Sequence, residues 1–429
     1  MSTPKIVTFG CRLNSYESEV MRKHLQDMQA KDVIIVNSCA VTGEAERQVK
    51  QSIRKLRRDH PTSKILVTGC AAQLNPDDYS RMSEVNAVFG NREKLDPLQL
   101  ATVLNVDTVA VREKPIVNVQ DIMQVRETAH HLISGVDQRS RAFVQIQQGC
   151  DHRCTFCIIP YARGNSRSTS PQQIIQQIQH LVDAHIAEIV LTGVDITSYG
   201  QDLSQPITLG KLTADILNQV PKLPRLRLSS IDPIEMDPLL WEVIGSEQRL
   251  MPHLHLSLQA GDDMILKRMK RRHSSTQAVQ LCQRLHQHRP DIALGADLIA
   301  GFPTETEEMF QNSLRHVQDC HISFVHVFPY SPRAGTPAAK MPQLPVEIRR
   351  ERANLLRQLG DRQRQNFFAR QLGKIQKVLI EKQAEDYSIG HSQHFASVRV
   401  PQAIEPGHIV KMVATAFQGD YIIADRLAE

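Results

Sequence analysis

Residues 149–167 contain Cys150-Asp-His-Arg-Cys154-Thr-Phe-Cys157, and this stretch constrains the chain more than any other. Three thiols separated by three and then two residues can close on one metal centre, but they leave a tetrahedral set one ligand short. Structural zinc takes four protein ligands, whereas a site that keeps a position open does chemistry there. Closely spaced thiolates also hold four-iron clusters, and three of them leave one iron free for a small molecule. Phe156, just before the last thiol, is placed to lie against a ligand at that open iron. A partial zinc knuckle or a chance cluster is the competing reading.

The chain has 429 residues, a length that suggests about three domains. Hydrophobic residues make up 41%, enough for a sizeable core. A formal charge of +5 admits a nucleic-acid partner without requiring one, and 5% aromatics argues against an extended base-stacking platform. Eight cysteines are too few, in a chain this long, for a disulfide-stapled scaffold. No signal peptide is expected from Met1-Ser-Thr-Pro-Lys-Ile-Val-Thr-Phe9, and no apolar run is long enough to cross a membrane. The expectation is a reduced cytoplasmic protein with no membrane partner.

In the first third, short apolar runs at 5–9, 33–36 and 64–67 alternate with helical patterns at 15–29, 43–58 and 76–83. This period predicts a doubly wound α/β sheet of flavodoxin-like type over residues 1–110. Cys11, Cys39 and Cys70 each follow one of the three strands, at the edge where open α/β sheets place their ligands. A lone cysteine there is more often a small buried hydrophobe. Three at one landmark predict a shared metal site, with Gly10 and Gly69 permitting the tight turns. The charged neighbours Arg12, Glu17, Glu19, Glu44 and Arg47 are read partly as solvated helix faces. Residues 111–138 read as a connection with one or two extra strands.

From residue 139 to 366 the alternation resumes. Strands are expected at 143–147, 188–192, 226–229, 253–258, 294–299 and 324–328, and helices near 171–184, 209–220, 237–244, 264–288 and 305–319. Six such units imply a partial (β/α)6 TIM-type barrel with its site at the strands' carboxyl ends, where the cysteine loop falls. Gly193, Ser229 and Gln259 end later strands and are candidate cofactor contacts, against the plainer reading of turn residues. His253 and His255 share a strand face and are read as satisfied core histidines. Cys282 and Cys320 are read as structural, Met264 and Met269 as packing. Lys267, Arg268, Lys270, Arg271 and Arg272 form a basic cluster, as do Lys50, Arg54, Lys55, Arg57 and Arg58; both are candidate phosphate contacts or merely solvated faces. A long arginine-rich helix at 347–370 then leads to strand-like runs at 377–380, 396–400, 409–413 and 421–424, which predict a small β-barrel of five or so strands over 367–429.

Several stretches together resemble one family. They are Thr8-Phe-Gly-Cys11-Arg-Leu-Asn-Ser-Tyr-Glu-Ser-Glu19, Val36-Asn-Ser-Cys39-Ala-Val-Thr42, Thr68-Gly-Cys70-Ala-Ala-Gln73, the loop Gly149–Gly164 and His326-Val-Phe-Pro-Tyr-Ser-Pro-Arg-Ala-Gly-Thr-Pro337. They resemble the motifs of the radical S-adenosylmethionine (SAM) methylthiotransferases over nearly the whole chain, and the last sixty residues look like a TRAM domain. Gly-Cys-Arg-Leu-Asn and Cys-Ala-Val-Thr are most similar to the threonylcarbamoyladenosine tRNA branch. The isopentenyl-adenosine and ribosomal-protein branches differ around the first cysteine. Ser257-Leu-Gln-Ala-Gly261 departs slightly from the family's usual Ser-Leu-Gln-Ser-Gly.

The resemblance implies two [4Fe–4S] clusters, one on Cys150, Cys154 and Cys157 that binds SAM, the other an auxiliary cluster on Cys11, Cys39 and Cys70 that presents sulfur. It implies SAM contacts at Phe156, Gly193, Ser229 and Gln259, a tRNA anticodon loop as substrate, a flavodoxin- or ferredoxin-type electron donor and a sulfur donor. The reading from another class is a zinc-stabilised RNA-binding module without catalysis.

Overall fold

A computed structural model describes residues 3–104, 115–126 and 140–426. The chain divides into two compact units. The first comprises residues 1–133, 145–169 and 331–339, and the second residues 134–144, 170–330 and 340–429. Both cysteine triads thus belong to the first unit.

The first unit is built on a five-stranded parallel sheet: β1 (Lys5–Thr8), β2 (Val33–Ser38), β3 (Lys64–Gly69), β4 (Ala87–Phe89) and β5 (Ile116–Asn118). Helices α1 (Arg12–Asp27), α2 (Gly43–Asp59), α3 (Cys70–Leu74), α4 (Pro76–Ser80) and α5 (Pro97–Leu104) cover both faces. Met21 and Leu25 of α1 pack with Leu100 and Val103 of α5 on one side, and Val49, Ile53 and Leu56 of α2 pack with Tyr79 of α4 on the other. This two-sided cover is what near-continuous apolar strands such as Val33-Ile-Ile-Val require. The strand order is consecutive, however, and not the reversed order of flavodoxin-type sheets. β1 sits at the edge because its two apolar residues, Ile6 and Val7, are only half-buried between exposed Lys5 and Thr8. α2 begins on the Thr42 hydroxyl, which accepts from the Ala45 amide at 3.1 Å, and carries Glu44 and Glu46 in its first turn and Arg57 and Arg58 in its last, matching the helix dipole.

The second unit contains an open arc of strands: β6 (Arg141–Gln145, whose last residue falls in the first unit), β7 (Glu188–Thr192), β8 (Arg225–Leu228) with its short continuation β9 (Ser230–Ile231), β10 (His253–Gln259), β11 (Ala293–Ala300) and β12 (Phe324–Pro329). β7 pairs with β8, β9 with β10, β10 with β11 and β11 with β12, all parallel, and connecting helices such as α6 (Pro171–Asp183) and α7 (Leu209–Gln219) intervene. This is the expected six-unit half barrel.

The single helix expected over 264–288 is instead two, α8 (Asp263–Met269) and α9 (Ser275–His288). Lys270 closes α8 in the left-handed region (φ 60°), and Ser274 with Gln277 forms a capping box that starts α9. A long helix, α10 (Val346–Ala369), leads to a closed five-stranded barrel in the order β13 (Ile375–Gln383), β14 (Ser388–His391), β15 (Ser397–Val400), β17 (Tyr421–Arg426), β16 (Ile409–Gln418). Phe367 and Phe368 at the end of α10 plug the barrel's core beside Val378, Ile380 and Val398.

Candidate metal centres

Each cysteine of the first triad sits just past the carboxyl end of a strand, as its place in the sequence predicts. Cys11 opens α1 after β1, Cys39 follows β2, and Cys70 begins α3 directly from β3. The three lie close enough for the charges of Cys70 and Cys11 to act on Cys39, whose thiol is pushed up to about 11, first by burial and then by those two neighbours. Two glycines make the convergence possible. A Cβ on Gly10 (φ +99°) would lie 2.9 Å from both Cβ and Sγ of Cys39, and one on Gly69 (φ +95°) would lie 2.3 Å from the Ser38 carbonyl oxygen.

Behind the triad lies a buried polar network. Arg163 Nε donates to Cys70 Sγ at 3.2 Å, and its Nη1 donates to Glu17 Oε1 at 2.9 Å and to Gln148 Oε1 at 2.8 Å. The other Glu17 oxygen accepts from Lys94 Nζ at 2.6 Å, and Lys94 also donates to Asn91 Oδ1 at 2.7 Å. Asn14 accepts from Arg163 and donates to the carbonyls of Phe9 (2.7 Å) and Ser38 (3.0 Å), tying the ends of β1 and β2. Burial alone would raise the Glu17 carboxyl, but Arg163 and then Lys94 hold it down at about 2. Burial likewise opposes the charge on Arg163, yet the thiols of Cys70 and Cys11 together with Glu17 keep it firmly cationic.

Glu17 is therefore no part of a solvated face: it is fully buried. Its spacing from Leu13, Val20, Met21 and Leu25 places it on the apolar side of α1, which is the signal that could have found it. Arg163 carries no such signal. It lies 93 residues from Cys70, and only the fold brings the two together.

The second triad is held in a loop that closes on itself. Cys150 N donates to Gly164 O (3.1 Å) and Cys157 N to Cys154 O (3.1 Å). Arg153 clamps the loop by donating to Cys150 O and to Asn165 Oδ1, both at 2.8 Å. Gly149 (φ +73°) has no room for a side chain, since a Cβ would lie 2.0 Å from Asn165 O. Cys150, Cys154 and Cys157 are each half-buried, and Phe156 belongs to the same loop.

Both donor sets fit iron–sulfur clusters. Each offers three thiols and no fourth cysteine: the remaining two, Cys282 and Cys320, are buried in the second unit and read as structural. Metal binding to thiols needs thiolates. A buried guanidinium beside Cys70 offsets the negative charge that three thiolates bring, and the glycine at position 10 keeps the space over Cys39 clear.

In the second unit, Gly193 follows β7, Ser229 joins β8 to β9 with its amide on the Leu191 carbonyl (3.0 Å), and Gln259 ends β10 at φ +69°. All three stand at carboxyl ends of strands of the half barrel. The basic cluster fares differently. Arg271 donates to Asp232 Oδ2 and to the Ser257 carbonyl, each at 2.8 Å, Arg272 pairs with Glu235, and Arg268 donates to the Thr304 carbonyl at 3.1 Å. Lys267 and Lys270 are exposed. On α2, Arg57 is spent on the carbonyls of Glu84, Pro61 and Ser63. Met269 is core, as expected, but Met264 is exposed.

A half barrel with a three-thiol loop after its first strand, joined to a sheet domain bearing a second triad, defines a radical SAM protein with an auxiliary cysteine domain. Residues 144–317 match the Radical SAM superfamily, and residues 3–90 match the uncharacterized protein family UPF0004. The chain is 48% identical to the threonylcarbamoyladenosine tRNA methylthiotransferase MtaB of Rickettsia prowazekii (strain Madrid E), over 97% of this chain and 96% of that protein. It is 32% identical to MtaB of Bacillus subtilis (strain 168), over 93% and 90%. Against the tRNA-2-methylthio-N(6)-dimethylallyladenosine synthase of Ehrlichia chaffeensis the identity is 31%, over 91% of each. Among solved structures, the radical SAM methyltransferase TsrM of Kitasatospora setae superposes with a TM-score of 0.55 at 14% identity, over 79% of this chain and 75% of that one, a likeness of fold. The chain belongs to the radical SAM methylthiotransferases, and within them to the threonylcarbamoyladenosine tRNA methylthiotransferase (MtaB) family.

Proposed function

We propose that this protein converts N6-threonylcarbamoyladenosine at position 37 of tRNA to its 2-methylthio derivative, with Cys150, Cys154 and Cys157 holding a SAM-binding [4Fe–4S] cluster and Cys11, Cys39 and Cys70 an auxiliary one. The observation that carries the reading is the pair of separate three-thiol sets in one unit, each with its own glycine and arginine support. When bound, the clusters and SAM supply the one-electron chemistry that an adenine C2–H bond demands, since that bond is too weakly acidic for acid–base groups.

The chain's own residues set the conditions for it. Arg163 holds a permanent positive charge against Cys70, and Glu17 and Asn14 fix the guanidinium's plane. Arg153 and Gly149 keep the second loop folded. Gly193, Ser229 and Gln259 are assigned to SAM from their strand-end positions, as is Phe156 from its place beside Cys157. Lys267 and Lys270 are assigned to tRNA phosphates. In the terminal barrel, Phe417 and Tyr421 expose aromatic surface on the strands flanking one turn, suited to stacking on an unpaired base. An adenosine beside the anticodon is unstacked at low cost, and therefore suits such a site better than duplex RNA.

The reaction needs electrons and sulfur that this chain does not hold. A flavodoxin- or ferredoxin-type donor and a separate sulfur donor are assigned those roles. The cytoplasm, where tRNA is found, is the assigned compartment, and no described helix is long and apolar enough to cross a membrane.

The test is mass spectrometry of tRNA nucleosides from a strain lacking the protein. The 2-methylthio derivative should vanish while N6-threonylcarbamoyladenosine accumulates, and the wild-type chain but not Cys154→Ala should restore it. Loss of the isopentenyl-adenosine derivative instead, or unaltered tRNA with an altered ribosomal protein, would overturn the assignment.

A further inference from the structure

In the second unit, three side chains on neighbouring strands of the half barrel meet at one point. His255 of β10 places Nε2 2.9 Å from Asp297 Oδ1 of β11, and His326 of β12 places Nδ1 3.5 Å from the same oxygen. The two imidazole centroids are 4.7 Å apart with their planes 37° from one another.

The register explains the meeting. Asp297 lies directly opposite His326, and Gly295 lies directly opposite His255. Gly295 and Asp297 are two residues apart on one strand and so share a face. A Cβ on Gly295 would come within 2.6 Å of His255 Nδ1. The missing side chain is therefore what lets the His255 ring lie across β11 towards the carboxylate.

The donor atoms of the three residues all lie within 4.8 Å of one another. Tetrahedral ligands bound at about 2.0–2.1 Å around a single small ion stand about 3.4 Å apart, close to the 2.9 and 3.5 Å that separate the two imidazole nitrogens from the Asp297 oxygen. Two imidazoles and a carboxylate suit zinc or ferrous iron, whereas Mg2+ and Ca2+ favour oxygen-only sets. The cluster is graded in exposure: His255 is buried, the Asp297 side chain is 24% exposed and that of His326 59%. Three protein ligands on one side with solvent access on the other is the pattern of a site that retains an open position.

We propose that His255, Asp297 and His326 form a binding site for one divalent first-row transition ion of the Zn2+ or Fe2+ class, distinct from the two cysteine centres, with its remaining position taken by water or a carboxylate oxygen. The site goes beyond the assignment above and does not depend on it.

The experiment uses the full chain with both clusters reconstituted anaerobically. It is equilibrated with Zn2+ against a competing chelator and desalted, and zinc, iron and sulfide are then counted. Wild type should retain one zinc in addition to its cluster iron. Loss of an outer partner of a metal ligand already costs about 10–100-fold in affinity, so loss of a ligand should cost at least about tenfold. Asp297→Asn, close in shape, and His326→Ala, at an exposed position, should each weaken zinc binding by that much while iron and sulfide stay unchanged. Should Asp297→Asn disturb the fold, His326→Ala decides. Wild type that retains no zinc, or zinc retained equally by His326→Ala, would overturn the proposal.

Discussion

Arg163 and Glu17, 146 residues apart in the chain, meet in the interior of the first unit through hydrogen bonds of 2.9 and 3.1 Å. Without the arginine, Glu17 keeps Lys94 as its buried cation, while one carboxylate oxygen and the Cys70 sulfur lose a charged donor where water cannot reach. Arg163→Met should destabilise the protein by about 3–5 kcal/mol, read from anaerobic denaturant unfolding. The double variant Arg163→Met/Glu17→Gln also takes from buried Lys94 its carboxylate partner and should be less stable than the single. A double variant more stable than the single would show that Lys94 does not hold Glu17 once the arginine is gone.

This network also marks the limit of what the chain discloses before it folds. β2 and β3 are plain because Val33-Ile-Ile-Val and Ile65-Leu-Val are apolar on both faces, and a cysteine at each strand end follows from that placement. The six-strand arc was legible for the same reason. β14 was missed because Ser388-Ile-Gly-His carries one large apolar residue and no clear apolar alternation. The break after Met269 was hidden too, since Lys270 is an unusual residue to adopt a positive φ. Contacts such as Arg163 with Cys70, or His255 with Asp297, join residues from separate elements. No local period encodes them.

Gly10 tests the space over Cys39. Gly10→Ala forces a Cβ to within 2.9 Å of the Cys39 sulfur in a conformation that side chains disfavour. Purified anaerobically, this variant should lose about half or more of the iron and sulfide assigned to the first triad while the second triad keeps its share. Gly245→Ala is the control: its Cβ meets nothing closer than 3.8 Å, and an alanine within a helix should stabilise by about 0.5–1 kcal/mol.

Phe395 pins the terminal barrel to the half barrel. Its ring lies under the guanidinium carbons of Arg141 (4.9 Å) and Arg227 (5.1 Å) and stacks on His391 at 4.8 Å. Arg227 further donates to the carbonyls of Ser392 and Gln393, and Arg225 to that of Lys377. Phe395→Ala should cost about 1–3 kcal/mol, combining lost packing with two cation–π contacts. Limited proteolysis should cut sooner near residue 370 in the variant. Unchanged cleavage would mean that the arginine–carbonyl bonds suffice.

His273 gives the stability an acid limb. Burial, followed by the guanidinium of Arg271, pulls its imidazole down from the ordinary value of 6.5 to about 4, against the opposing pull of Asp232. The folded state therefore binds this proton less readily than the unfolded chain. The contribution is fully present above about pH 6.5 and is lost as pH falls towards 4, at up to about 1.4 kcal/mol per pH unit. Denaturation midpoints measured between pH 7.5 and 5 should fall more steeply for wild type than for His273→Gln. Parallel curves would place the acid sensitivity elsewhere.

The two triads are supplied by different kinds of structure, and this predicts that they fail separately. Cys154 belongs to a loop closed by its own backbone bonds and by Arg153. Cys39 belongs to a set drawn from three strand ends and braced by Asn14. Loss of one thiol from either set leaves the scaffold of the other intact. Cys154→Ala should abolish cleavage of SAM to 5′-deoxyadenosine by the reduced protein. Cys39→Ala should retain measurable cleavage but form no methylthio product on tRNA. The assay is anaerobic, with dithionite as reductant and both 5′-deoxyadenosine and modified nucleoside quantified from one reaction. Equal loss of cleavage in the two variants would mean that the triads do not divide the work.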